Sequence, residues 1–200
     1  MIGCCIFDMG GVLIRDFHIA PSLLPYLGRR EATFSEISSL VSDALKEHSR
    51  GLIDEAAFWD RYSEVTGQAV PDTEGSLLGR FFSPVLDTAT VDILRGLKAH
   101  GMRVVCGTNV IDAHYDIHMS LKQYDVFDKV YASHLIHIAK PDGAFFRYIC
   151  EQERISPAQA FFTDDMEVNV EAAKAEGLAA YLYTDAEHLA RQLSSLGIAY

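Results

Sequence analysis

Asp8 stands where a carboxylate can do chemistry. It closes a short apolar run, Ile2 to Phe7, and opens a glycine turn, Ile6-Phe7-Asp8-Met9-Gly10-Gly11-Val12-Leu13. Ligands of open α/β sheets gather beyond the carboxyl ends of the strands, which is where a buried strand over this run would leave the Asp8 side chain. Three more polar groups follow apolar runs or lie just beyond them: Thr108-Asn109, Lys140 and Asp164-Asp165. Phosphoryl transfer needs such a set. A carboxylate attacks phosphorus and holds it as an acyl phosphate. A hydroxyl and an ammonium neutralise phosphate oxygens, and acidic oxygens hold magnesium. Gly10 leaves a gap in the set, because a second carboxylate two residues after Asp8 would decide what the first can do.

Strand and helix patterns set where these residues meet. Beyond residue 85 they alternate. Helices are predicted over Thr88–His100, Ile111–Lys122, Asp142–Glu153, Val168–Glu176 and Ala186–Leu196. Between them run apolar strands at Met102–Cys106, Val130–Ala132, Ala160–Thr163 and Leu178–Tyr183. That rhythm means βαβ units, a parallel sheet and right-handed crossovers. Residues 17–85 break it with helical segments alone. Phe34 to His48 carries apolar residues at helical spacing. Asp54 is placed to cap a second helix running to Val65. The fold class expected is α/β: a doubly wound, Rossmann-like parallel sheet with a small α-helical cap inserted after the first strand. The core comprises residues 1–16 and 86–200, and the cap 17–85.

Composition bounds the function. A chain of 200 residues with 49% hydrophobic content can bury a sizeable core. A net charge of -11 argues against nucleic acid as a partner and requires a local cation for any anionic substrate. No apolar run approaches the roughly 20 residues that cross a bilayer, so no membrane partner is expected. The Met1–Phe7 stretch is too short for a signal sequence and lacks a basic leader. Cysteines at 4, 5, 106 and 150 suit neither a zinc site nor a disulfide framework and read as reduced thiols of a cytoplasmic protein.

Four segments in order, Phe7-Asp8-Met9-Gly10-Gly11-Val12-Leu13, Cys106-Gly107-Thr108-Asn109, Lys140-Pro141-Asp142 and Phe162-Thr163-Asp164-Asp165-Met166-Glu167-Val168-Asn169, resemble the motifs of the haloacid dehalogenase superfamily. The likeness is to its phosphatase-like members with a helical cap after motif one, and it spans nearly the whole chain. It implies Asp8 as nucleophile and metal ligand. Thr108 and Asn109 would bind the phosphoryl group, and Lys140 would pair with that group and with Asp8. Asp165 would hold Mg2+, Asp164 would assist, and the Gly10 backbone carbonyl would complete the metal's protein ligands. The cap would choose a small phosphorylated metabolite.

Gly10 departs from the pattern. Phosphatases of the superfamily usually carry an aspartate there, which protonates the leaving group and then activates water. General acid–base help is worth roughly 10²–10⁴-fold, so the resemblance implies a slow phosphatase or one specialised for good leaving groups. The alternatives are a metal-independent dehalogenase-like hydrolase and a degenerate member that binds a phospholigand or protein without turnover. Asp16, His18, Asp112 and His114 are the candidates to replace the missing acid, each read first as a cap, loop or surface residue. His114 and His118 have the i, i+4 spacing of metal ligands but no third partner. Phe58, Trp59 and Tyr62 read as cap packing. Arg50 and Gly51 fall in a turn between cap helices, and Asn169 reads as a support of the motif-four loop.

Overall fold

A computed structural model describes residues 1–15, 17–29, 34–72 and 74–200, leaving aside the side chains of Phe34 and Ser35. In chain order the elements are β1 (Cys4–Phe7), β2 (Ile14–Arg15), α1 (Ala20–Tyr26), α2 (Phe34–Leu40), α3 (Ser42–Ser49), α4 (Glu55–Thr66), α5 (Leu77–Arg80), β3 (Val85–Leu86) and α6 (Thr88–Ala99). There follow β4 (Arg103–Thr108), α7 (Asp112–Ser120), β5 (Lys129–Ala132), α8 (Ser133–Ile136), α9 (Gly143–Glu153), β6 (Ala160–Asp164), α10 (Glu167–Ala175), β7 (Ala179–Leu182) and α11 (Ala186–Ser195).

Five strands form one parallel sheet in the order β5-β4-β1-β6-β7. The chain winds from β1 outward to β5, then returns across the sheet to β6 and β7. The crevice between β1 and β6 is therefore the topological switch point, where ligands of such sheets bind. Successive residues of each strand feed opposite faces. Cys5, Phe7, Val104, Cys106 and Phe161 pack with Leu94 and Leu97 of α6 and with Leu189 and Leu193 of α11. Cys4, Ile6, Val105 and Phe162 pack with Phe145, Phe146 and Ile149 of α9 and with Val170 and Ala173 of α10. These two layers confirm the α/β expectation. All four cysteines are buried free thiols.

The helices between β2 and β3 have a core of their own, built on Leu23, Leu24, Ile37, Val41, Phe58, Trp59, Tyr62 and Leu77. Phe58, Trp59 and Tyr62 thus pack the inserted helices. Asp54 caps α4, accepting from Ala57 N at 2.8 Å. The helix predicted from Phe34 to His48 is instead two, broken at Val41 (φ -112°, ψ 20°). Ser39 Oγ donates to the Glu36 carbonyl just before the break, a local competitor of the helical ladder. No helix of the described residues is long and apolar enough to cross a membrane.

Both chain crossings between the sheet and the inserted helices run through a short antiparallel ribbon, with Ile14 opposite Leu86 and Arg15 opposite Val85. The ribbon is tied to the core. Asp87 N donates to Leu13 O at 2.8 Å. Arg15 Nε pairs with Asp87 at 2.9 Å, and its Nη2 reaches Tyr183 Oη at 3.4 Å. The inserted helices also rest on the core directly. Ser133 Oγ donates to Ser49 O at 2.5 Å, and His137 Nδ1 lies 2.8 Å from Arg50 O. Gly51 (φ +64°) lies so close to His134 O that a Cβ would come within 2.4 Å of it.

Candidate active site

Asp8 follows β1 directly, and its backbone N–H donates to Thr163 O on β6 at 3.1 Å, which fixes it at the switch-point crevice. Lys140 Nζ lies 2.7 Å from Asp8 Oδ1 and 2.6 Å from Asp164 Oδ2. The Lys140 and Asp164 side chains are almost fully buried, at 1% and 0% exposure, so water contributes little to their pairing. The other Asp164 oxygen accepts from Met166 N at 2.8 Å and from Asn169 Nδ2 at 2.9 Å. Asp164 is therefore held from three sides, and Asn169 supports the loop. Asp165, the next residue, is exposed.

Carboxylate oxygens of Asp8, Asp164 and Asp165 lie within 4.8 Å of one another, a spacing that fits one cation. The Gly10 carbonyl oxygen accepts no hydrogen bond among the described residues. The electrostatics favour a cation too. Burial pushes the Asp8 carboxyl up to about 7, and the Asp164 charge adds to the push while Lys140 opposes it. Burial and Asp164 likewise raise Asp165. Burial works against the Lys140 ammonium, yet its two carboxylate neighbours hold it above its ordinary value. One ammonium thus pairs with two of three carboxylates, and a divalent cation would relieve the remainder. Among the described residues these three carboxylates suit a hard cation such as magnesium, and Asp165, which makes no ion pair, is the freest of them.

Thr108 ends β4, the strand beside β1, and is buried. Its hydroxyl makes no hydrogen bond among the described residues and can turn to an incoming oxygen. Asn109 is engaged with Lys140: its Nδ2 donates to Lys140 O at 2.8 Å, and Lys140 N donates to its Oδ1 at 2.9 Å. In this structure its side chain holds the lysine in place. Sequence reasoning missed that clamp, and it missed Gly11. Gly11 has φ +74°, and a Cβ there would lie 2.1 Å from Asp165 Oδ2. The adjacent glycines 10 and 11 were the available signal, since one of a pair often takes a left-handed φ.

Of the other sequence candidates, His114, His118 and Asp112 lie elsewhere. His114 Nε2 lies 3.3 Å from Leu78 O and stacks on Phe82, while His118 Nδ1 meets Gln123 at 2.6 Å. Neither joins a metal cluster among the described residues. Asp112 sits at the first turn of α7, accepting from Ala113 N. His18 is exposed, its ring tilted against Phe17, and its charge acts on Asp165, lowering that carboxyl against the push of burial. Asp16 lies outside the described residues.

The family model for haloacid dehalogenase-like hydrolases matches residues 2–177. The chain belongs to that family. Among its relatives is the sesquiterpene phosphatase astK of Aspergillus oryzae, 29% identical, the match covering 96% of this chain and 94% of astK. A family enzyme of Bacteroides thetaiotaomicron, bt-2542, solved in complex with magnesium and inorganic phosphate, superposes with a TM-score of 0.72 at 26% identity, covering 94% of this chain and 99% of that one. A haloacid dehalogenase of Xanthobacter autotrophicus, 22% identical, shares the fold with a TM-score of 0.61, covering 100% of this chain and 85% of the other. The chain is thus a hydrolase-family member whose relatives include a phosphatase.

Proposed function

We propose that this family member is a magnesium-dependent phosphohydrolase acting on a small phosphorylated metabolite through an aspartyl phosphate on Asp8. One observation carries the reading: a buried lysine bridges Asp8 and Asp164 while Asp8, Asp164 and Asp165 converge on one cation-sized space. In the first step an Asp8 oxygen attacks phosphorus and the ester P–O bond breaks, releasing the alcohol oxygen with its electron pair, which takes a proton from solvent water. In the second, water attacks the phosphoryl group and gives a proton to solvent, the bond between the Asp8 oxygen and phosphorus breaks, and inorganic phosphate leaves. Lys140 holds its charge beside the Asp8 oxygen throughout, and the Thr108 hydroxyl donates to a phosphoryl oxygen. Magnesium, when bound, supplies positive charge against the phosphoryl oxygens. The helices over 17–85 act as a cap that encloses the substrate.

Gly10 carries no acid for the departing alcohol, so activated esters turn over best. The same gap favours a second reading, a member that captures the phosphoryl group and releases it slowly or not at all. The test is hydrolysis of an aryl phosphate by wild type and Asp8→Asn, with and without magnesium. Turnover that needs both Asp8 and magnesium supports the phosphohydrolase. A phosphate adduct on Asp8 without turnover, seen by mass spectrometry, supports the second reading. Neither turnover nor adduct would overturn both.

A further inference from the structure

Deepening that phosphohydrolase reading, on which it rests, we propose that Phe17 walls the leaving-group side of the site and that the substrate is a phosphomonoester of an apolar alcohol. The argument begins with the direction of the missing side chain. A Cβ built on Gly10 meets Phe17 first: Cε2 at 3.5 Å, Cδ2 at 3.6 Å and Cζ at 3.8 Å are its three nearest atoms. Gly10 is not among the glycines with positive φ, so its backbone does not itself demand glycine. The region beside Asp8 that a leaving-group carboxylate would occupy is therefore bounded by an aromatic ring. Phe17 is half-buried and packed against the sheet's hydrophobic layer, with the exposed His18 ring tilted at 37° beside it, centroids 4.2 Å apart.

Charge points the same way. Lys140, the buried cation of the cluster, is already shared by two carboxylates, the exposed His18 acts on Asp165, and the chain carries a net charge of -11. A leaving group with a second anionic centre would find repulsion there. The surrounding segments are apolar as well. Met166 directly follows Asp165 and is 55% exposed, and Val168 in the first turn of α10 is 53% exposed. Leu135 of α8 and Leu52, next to the Gly51 that rests on α8, are exposed too. Of the exposed large apolar side chains, Met166, Val168 and Leu135 lie on the segments that follow β6 and β5, and Leu52 lies beside the Gly51 that rests on α8, while the others are spread over the rest of the surface. An apolar substrate tail gives those four a partner.

The test compares three probes with magnesium on the full chain: acetyl phosphate, decyl phosphate below its micelle concentration, and glucose 6-phosphate. Wild type is expected to favour decyl phosphate over glucose 6-phosphate in kcat/KM. Phe17→Ser should lower the decyl-to-acetyl ratio of kcat/KM by roughly tenfold, chiefly through KM, and Phe17→Leu should keep most of it. If Phe17→Ser does not fold, Phe17→Tyr puts a hydroxyl on the same ring and should lower the ratio in the same direction. A wild-type preference for the sugar phosphate, or a ratio indifferent to position 17, overturns the proposal while acetyl phosphate turnover leaves the phosphohydrolase standing. Absence of turnover on all three probes takes both down.

Discussion

At Gly11 the backbone turns through φ +74° directly beneath the Asp165 carboxylate. Gly11→Ala would add strain at that φ and push the Cβ into the one carboxylate of the cluster that faces solvent. We expect its magnesium affinity, read by calorimetry, to fall at least about tenfold, with the far-ultraviolet circular dichroism unchanged. Unaltered affinity would mean that Asp165 is not a ligand. The convergence of Asp8, Thr108, Lys140, Asp164 and Asp165 was legible in the sequence, because each follows or lies close beyond an apolar run and parallel strands end at one edge. Gly11, Phe17 and the clamp from Asn109 to Lys140 were not. Gly11 and Asn109 act through partners distant in the chain, at positions 165 and 140, and Phe17 reaches Gly10 across an irregular loop, so no periodicity records such pairs.

Among the elements, α5 and α7 meet at His114, whose ring stacks on Phe82 and reaches Leu78 O. Burial, the largest influence, lowers His114 from 6.5 to about 4. Between those values the unfolded chain binds a proton that the folded chain refuses. Stability therefore falls as pH drops through that window and is complete above it. From pH 7 to pH 5 the loss from this residue is about 2 kcal/mol. His114→Gln keeps a donor for Leu78 O and does not titrate, so urea unfolding of that variant should show a correspondingly smaller difference between the two pH values. An equal difference in both proteins would assign the acid sensitivity elsewhere, His118 being the next group that burial lowers. Helices of three turns with a clear apolar stripe, α6 and α9 among them, could be read from periodicity. The ribbon of β2 and β3, two residues each, and the single turn of α8 could not, since neither is long enough to complete a period.

For the whole molecule the dominant long-range quantity is a net charge of -11. It repels a phosphorylated substrate until salt screens it. At constant magnesium, kcat/KM for an anionic phosphate should rise by about two- to fivefold between 10 and 150 mM potassium chloride. A fall instead would place an uncounted cationic surface near the entrance. The alternation beyond residue 85 made the sheet and its two helical layers predictable, while the way the inserted helices lean on α7 and α8 required coordinates. The ribbon that joins the two halves sets how they can part. Two hydrogen-bonded strands bend easily out of their shared plane and resist shear within it. Arg15 and Asp87 pin one end of this pair to Tyr183 and α6. The inserted helices are thus joined to the sheet by this one ribbon and rest on the core again at α8. Any parting of the two must bend the ribbon and break the contacts of Ser49 and Arg50 with Ser133 and His137.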